Sequence, residues 1–203
     1  VETGPKGEVL LLLSNGTVVT VAENSKMMVK AFDQEPFQAE GKLINDLKEE
    51  PSSSNVLVNL EVGSLVVQTK KLNKQSNFEI SSPVGTAGIR GTEFKIGVDP
   101  KAGIQLDVTE STVAFTPSGA TRPVAVSAGN GLTVSPSGVA ARRPVNPVIA
   151  REINTVNTKA RQSVGEMPVS YVNRSMGEAS RKRRVQRQRN EGGSPQRRNE
   201  AGE

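Results

Sequence analysis

Four carboxylates, a triplet of glycines and a run of basic residues are the parts of this sequence whose types and spacing could do chemistry. Glu79, Glu93, Asp107 and Glu110 fall on neighbouring strand-like segments. Two carboxylates facing each other across a sugar could cleave a glycosidic bond. Gly85, Gly88 and Gly91 recur at every third residue of SSPVGTAGIRGTEFKIGVD, residues 81–99, a rhythm that invites a phosphate-cradle reading. Arg181, Lys182, Arg183, Arg184, Arg187 and Arg189, in RKRRVQRQR, could hold a polyanion or nucleic acid through salt-dependent phosphate contacts.

Each of these meets a plainer alternative. By strand parity the carboxylates alternate away from a core and can pair with Lys70 or Lys95 across strands, which favours surface ion pairing over catalysis. A nucleotide loop must follow a strand and open a helix, so that backbone N–H groups face phosphate. Here TEFKIGVD continues as a strand, no Gly-Lys-Ser/Thr follows, and the spacing is G-x-x-G-x-x-G. The phosphate reading fails. The basic run has no aromatic residue for base stacking and fits a solvated tail, with polyanion binding as the alternative. The chain also contains no histidine and no cysteine. That removes Ser-His-Asp and Cys-His nucleophiles, imidazole and thiolate metal sites, and disulfides. No catalytic residue, cofactor or metal is expected.

The elements that position these residues follow from composition and pattern. At 203 residues, 34% hydrophobic, with five Phe and one Tyr, the chain allows one domain plus appendages and a core built from Val, Ile, Leu and Ala. The net charge of +5 sits entirely in residues Arg174 to Glu203: that segment has nine Lys/Arg against four Asp/Glu, leaving 17 of each sign elsewhere. The longest apolar run, Val9 to Leu13, is far too short to cross a bilayer. A first residue of Val suits a processed secreted protein or a trimmed chain.

EVLLLLSNGTVVTVA reads as two strands joined by a type I′ turn at Asn15-Gly16, the first buried on both faces; a glycosylation acceptor at Asn15 is the rival. KMMVKAF continues the strands, and Leu43, Ile44 and Leu47 predict a short helix in a polar interruption. Then VLVNLEV, SLVVQTKKL, NFEIS, TEFKIGVD, IQLDVT, STVAF, PVAVSA and GLTVS follow, punctuated by Gly, Pro, Asn or Asp. The pattern predicts an all-β fold of meandering short strands stacked as a roll, sandwich or short β-solenoid over residues 1–141. Asn146 and Pro147 suit a helix start, and Ile149, Ile153, Val156 and Ala160 form one stripe. This predicts a helix from about Pro147 to Arg161 within residues 142–173, docked on the β body or meeting a partner. Residues 174–203 lack the apolar surface to offset chain entropy and read as a disordered basic tail.

Parity also explains the glycine triplet. Ile89 and Phe94 can both face the core only if the register shifts between them, as a bulge at Gly91 would allow. Gly85 and Gly88 would permit close backbone approach, and Arg90 would tie loop carbonyls or a carboxylate, with a partner contact as the alternative.

SPVGTAGIRGTEFKI then resembles the signature of FecR-like domains, carried here by Pro83, Gly85, Thr86, Gly88, Arg90, Gly91, Thr92 and Phe94. TGPKGEVLLLLSNGTVVTVAENS resembles the opening of such domains and LEVGSLVV their mid-domain glycine turn. LDVTESTVAF resembles the strand pair after the signature, with Ser111 where the family often has glycine, and PVAVSAGNGLTVS the closing turn. The resemblance covers roughly residues 3 to 138. It implies a non-catalytic bacterial module outside the cytoplasm, periplasmic or at the cell surface, that binds a protein partner or a cell-wall polymer. In the best-known members the domain relays the state of an outer-membrane transporter to a sigma factor.

Overall fold

The computed structural model describes residues 1–38 and 41–172. Their strands are β1 (Val9–Leu12), β2 (Val18–Val21), β3 (Lys26–Gln34), β4 (Ser54–Gln68), β5 (Asn77–Ser82) and β6 (Gly85–Gly88). There follow β7 (Glu93–Asp99), β8 (Gly103–Glu110), β9 (Thr112–Pro117), β10 (Val124–Ser127), β11 (Asn130–Val134) and β12 (Ala140–Pro144). Helix α1 (Pro147–Val164) comes after them. The all-β meander with one C-terminal helix is the architecture the strand rhythm predicts. β12 is the strand the pattern did not signal: AARRP has no large apolar residue and is mostly exposed, and pairing with β11 makes it a strand.

One strand joins the two halves of the sheet. The residues read as two strands and a glycine turn form a single strand, β4, which bends at Gly63. Its first half pairs with β3 and β5, in the order β3-β4-β5-β6-β9-β10. Its second half pairs with β2 and β7, in the order β1-β2-β4-β7-β8-β11-β12. A Cβ on Gly63 would lie 2.4 Å from the Ser25 Cα, and φ there is +91°, so only glycine fits the bend. β10 returns against β8 and β11 and nearly closes the sheet into a barrel.

Parity along the strands builds the core. Phe94, Ile96 and Val98 on β7, and Ile104, Leu106 and Val108 on β8, are buried as their alternation predicts. Phe78 and Phe115 meet them from β5 and β9, so three of the five phenylalanines join the aliphatic core. The run of leucines in β1 is used on both faces. Val9, Leu11 and Leu13 pack on the main core, whereas Leu10 and Leu12 pack on a second cluster formed with Ala160 and Val164 of α1.

Two local expectations change, the turn type and the short helix, and the rival reading of Asn15 falls. The turn after β1 is not type I′: Gly16 N–H donates to the Leu13 carbonyl at 2.9 Å, and Gly16 alone has positive φ. Ser14 and Asn15 are thus the central pair, with Gly16 as the left-handed residue that returns the chain to register. Asn15 is buried, donating to Ser54 Oγ at 3.1 Å and accepting the Thr17 N–H at 3.0 Å, and so is no open glycosylation acceptor. The short helix is a single 3₁₀ turn, Ile44–Asp46, with Ile44 buried.

Helix α1 docks on the sheet. Asn146 caps it by accepting the Val148 N–H at 2.8 Å, and Pro147 stands in its first turn. The buried stripe is Ile153, Asn157, Ala160 and Val164; Ile149 and Val156 lie at its half-buried margin. Burying Ile153 and Val164 contributes about 2 kcal/mol each, on the order expected for such side chains.

Candidate functional site

Arg90, Gly91 and Thr92 of the signature lie where the chain passes twice between the halves of the sheet. Residues 69–76 carry it from the end of β4 back to β5, which then runs parallel to the first half of β4. Residues 89–92 carry it from β6 across to β7. The two crossings run side by side. Thr92 N–H donates to Thr69 Oγ1 at 2.8 Å, Thr69 N–H to the Thr92 carbonyl at 3.0 Å, and Leu72 N–H to the Arg90 carbonyl at 3.3 Å. Arg90 Nη1 reaches the carbonyls of Asn73, Lys74 and Ser76 at 3.4, 3.2 and 3.0 Å. The guanidinium holds loop carbonyls and, among the described residues, no carboxylate.

Glu50 grips the same loop from the other side. Buried and lacking a cationic partner among the described residues, it accepts the Asn73 N–H and Ser54 Oγ–H at 2.6 Å each, and Ser76 Oγ–H. Nothing in its local sequence, KEEP, singles it out. Ile89 and Phe94 are both buried, as the register argument requires, but by a crossing between sheet halves rather than by a bulge in one strand.

The glycines of the triplet differ. Gly91 has φ +119°, and a Cβ there would stand 2.8 Å from the Lys71 Cα. Gly85 would drive one to 2.4 Å from the Thr116 carbonyl oxygen. At Gly88 the nearest atom would be the Ala114 oxygen at 3.6 Å, ordinary contact, so close approach does not require that glycine. Pro83 sits in the β5–β6 turn, Thr86 pairs with Thr116 across to β9, and Phe94 fills the core. Ser111 adopts φ +61° between β8 and β9, so the turn keeps a left-handed residue without glycine.

The four carboxylates do not form one open site, although Glu93 and Glu110 lie opposite each other across β7 and β8. Glu93 is buried beneath α1, accepting from Asn157 Nδ2 at 2.8 Å, Gln68 Nε2 at 2.6 Å and Arg161 Nη2 at 2.5 Å. Asp107 is buried and paired with Arg143, at 2.7 Å from Nη1 to Oδ1 and 2.8 Å from Nη2 to Oδ2. Two of the four are therefore interior ion pairs rather than surface ones, and their partners are arginines instead of Lys70 or Lys95. Lys95 bonds Glu152 of α1 at 2.6 Å. Lys70 is half-buried; desolvation first, and the Arg161 charge second, lower its pKa below the usual 10.5. The sequence reading missed Asn157, whose place one turn after Ile153 on the helix stripe is the signal that could have found it; Arg143 and Arg161 gave no local signal. Among the described residues no cluster of His, Cys, Asp or Glu could hold a metal, and no helix is long and apolar enough to cross a membrane. Arg181, Lys182, Arg183, Arg184, Arg187 and Arg189, with the expected disordered tail, lie outside the described residues.

Residues 1–114 match the family described as FecR protein. Two crystal structures, each of a protein described as an anti-sigma factor from Parabacteroides distasonis, share the fold at 12% sequence identity. One aligns over 77% of this chain and 63% of its own with a TM-score of 0.57; the other over 72% and 59% with a TM-score of 0.53. The chain thus spans about three fifths of the length of those structures. No curated protein matches it.

Proposed function

We propose, from the premise that this chain belongs to the FecR family, that it is a non-catalytic protein-binding module of a signalling regulator, acting outside the cytoplasm. The observation that carries the reading is the use made of the polar residues. The Arg90 guanidinium binds the chain's own backbone, and Glu93 and Asp107 are each closed by an arginine, so neither is free to serve as half of an acid–base pair facing solvent. What the molecule offers outward is sheet edge and surface, the means of protein recognition.

Titration in the host bacterium tests this. The chain, produced in excess with an export signal, should compete for its partner and change the transcription of one sigma-factor regulon; the same chain retained in the cytoplasm should not. An unchanged transcriptome in both cases overturns the reading.

A further inference from the structure

Residues 1–173 carry no net charge, yet their cations are not spread evenly. The two crossings, residues 69–76 and 89–92, hold Lys70, Lys71, Lys74 and Arg90 and no carboxylate. None of the four forms an ion pair among the described residues. Lys70 is half-buried, its stem against Gly16 and its charge toward Arg161. The other three are exposed. The crossing gathers them from two stretches of sequence. The Lys71 Cα stands 2.8 Å from where Gly91 would carry a Cβ, and the Leu72 N–H donates to the Arg90 carbonyl at 3.3 Å. Arg90 Nη1 in turn reaches the Lys74 carbonyl at 3.2 Å.

Arg90 differs from an ordinary surface arginine. Its side chain is exposed, yet three carbonyls fix Nη1, so it has already given up rotamer freedom that binding would otherwise cost. Nε and Nη2 have no partner among the described residues. Their N–H groups lie along one edge of the planar fork, the edge that takes both oxygens of a carboxylate. The patch is also small. Glu49 stands opposite Lys71 in an isolated bridge, and Glu79 stands opposite Gly88, two residues before Arg90. Neither glutamate pairs with a cation among the described residues, and both would repel a long polyanion laid across the loop.

We propose that this loop is the docking surface for an acidic segment of the protein partner. One carboxylate sits on the Nε–Nη2 edge of Arg90, and its neighbours meet Lys71 and Lys74. The pinned arginine is the anchor, while the two lysines steer the encounter and make it salt-dependent. The inference rests on the protein-binding reading above and names its surface and the charge of the partner.

The probe is a short blocked peptide of serine and glycine with three glutamates, set against the same peptide with glutamines. In the full chain the Arg90 Nε–H resonance should move with the glutamate peptide and stay in place with the glutamine one. Lys71→Glu together with Lys74→Glu changes only exposed side chains; it should leave thermal unfolding in place and weaken binding about tenfold or more. Should that variant fail to fold, Lys71→Gln with Lys74→Gln decides, with an expected weakening of about threefold or more. An unmoved Arg90 resonance overturns the proposal, whether the peptide stays free or gathers on the basic residues after Arg174. Inorganic polyphosphate that moves this resonance at a lower concentration than the glutamate peptide would assign the surface to phosphate polymers and overturn it as well. The transcription experiment separates the two readings, since the exported Lys71→Glu, Lys74→Glu chain should no longer shift the regulon. If it still does, protein binding stands and this surface falls; if neither chain acts, the protein-binding reading itself falls.

Discussion

Glu50 and Glu93 are both buried glutamates, and they hold the molecule together in different ways. Glu50 meets two hydroxyls and a backbone N–H, all within one connection and the loop beside it. It fastens the chain to itself at the place where two crossings between sheet halves run in contact. Glu93 meets a guanidinium and two amides, two of the three on helix α1. It fastens a separate element to a finished sheet. Geometry that the backbone cannot relax governs the first region; the second is governed by charge, which solvent and salt can partly replace. Disturbing the crossing should therefore damage the whole fold, whereas disturbing the helix seat should loosen one element.

The largest expected effect is at the crossing. Gly91→Val places a β-branched residue at positive φ with its Cβ against the Lys71 backbone, where neither side can give. A loss of about 3 kcal/mol or more is expected, visible in thermal or urea unfolding without any ligand. Gly88→Ala is the matched comparison: its φ is not positive and its neighbour is at ordinary contact, so stability should hold or rise by a few tenths of a kcal/mol. Equal losses for both variants would show that the contrast between these glycines is wrong.

This contrast also marks how far the sequence could be read. Gly85, Gly88 and Gly91 are equivalent by spacing, and only the neighbouring strands distinguish them, because Thr116 and Lys71 arrive from elsewhere in the chain. Properties written in a local period were legible: Phe94, Ile96 and Val98 inward on β7, Asn146 and Pro147 opening α1, and the helix face that docks. The course of β4 was not, since a glycine inside a strand pattern reads equally as a turn or as a bend. Nor were the arginine partners of Glu93 and Asp107, 68 and 36 residues away in sequence. Local pattern fixes which face a residue takes; what it meets there depends on strand order.

A smaller effect is expected at the helix seat. Glu93→Gln keeps the shape and removes the charge from Arg161, whose side chain is half exposed and can be hydrated. The full penalty of a broken buried pair therefore does not apply, and a loss of about 1–2 kcal/mol is expected, with most of the difference from wild type vanishing in molar salt. Trypsin should cut faster at Arg151 and Lys159 in α1 while the amides of β7 and β8 stay slow to exchange. Simultaneous exposure of helix and sheet would mean that the helix is part of the same cooperative unit as the crossing.

The smallest effect belongs to Lys70, where the two regions touch. The residue stands in the first crossing, and its stem lies against Gly16, but its ammonium feels Arg161 of the helix. Burial is the largest influence on its pKa and Arg161 the next; both lower it, while Asp46 and Glu93 pull upward and do not prevail. A lysine whose pKa is lower folded than unfolded destabilises the fold while it is charged. Below the folded pKa both states hold the proton and the penalty is complete. Between that value and the unfolded 10.5 the unfolded state binds more protons, so this contribution to stability rises with pH, and above 10.5 the penalty is gone. Lys70→Met keeps the length of the stem and removes the charge, and at neutral pH it should stabilise the protein by less than about 1 kcal/mol, solvent screening a half-exposed group. The variant's advantage over wild type should shrink toward pH 10.5. An advantage that stays constant with pH would assign the gain to packing against Gly16. Outright destabilisation at neutral pH would show that the ammonium serves Asp46 and Glu93 more than burial and Arg161 oppose it, and would make Lys70 a tie between crossing and helix.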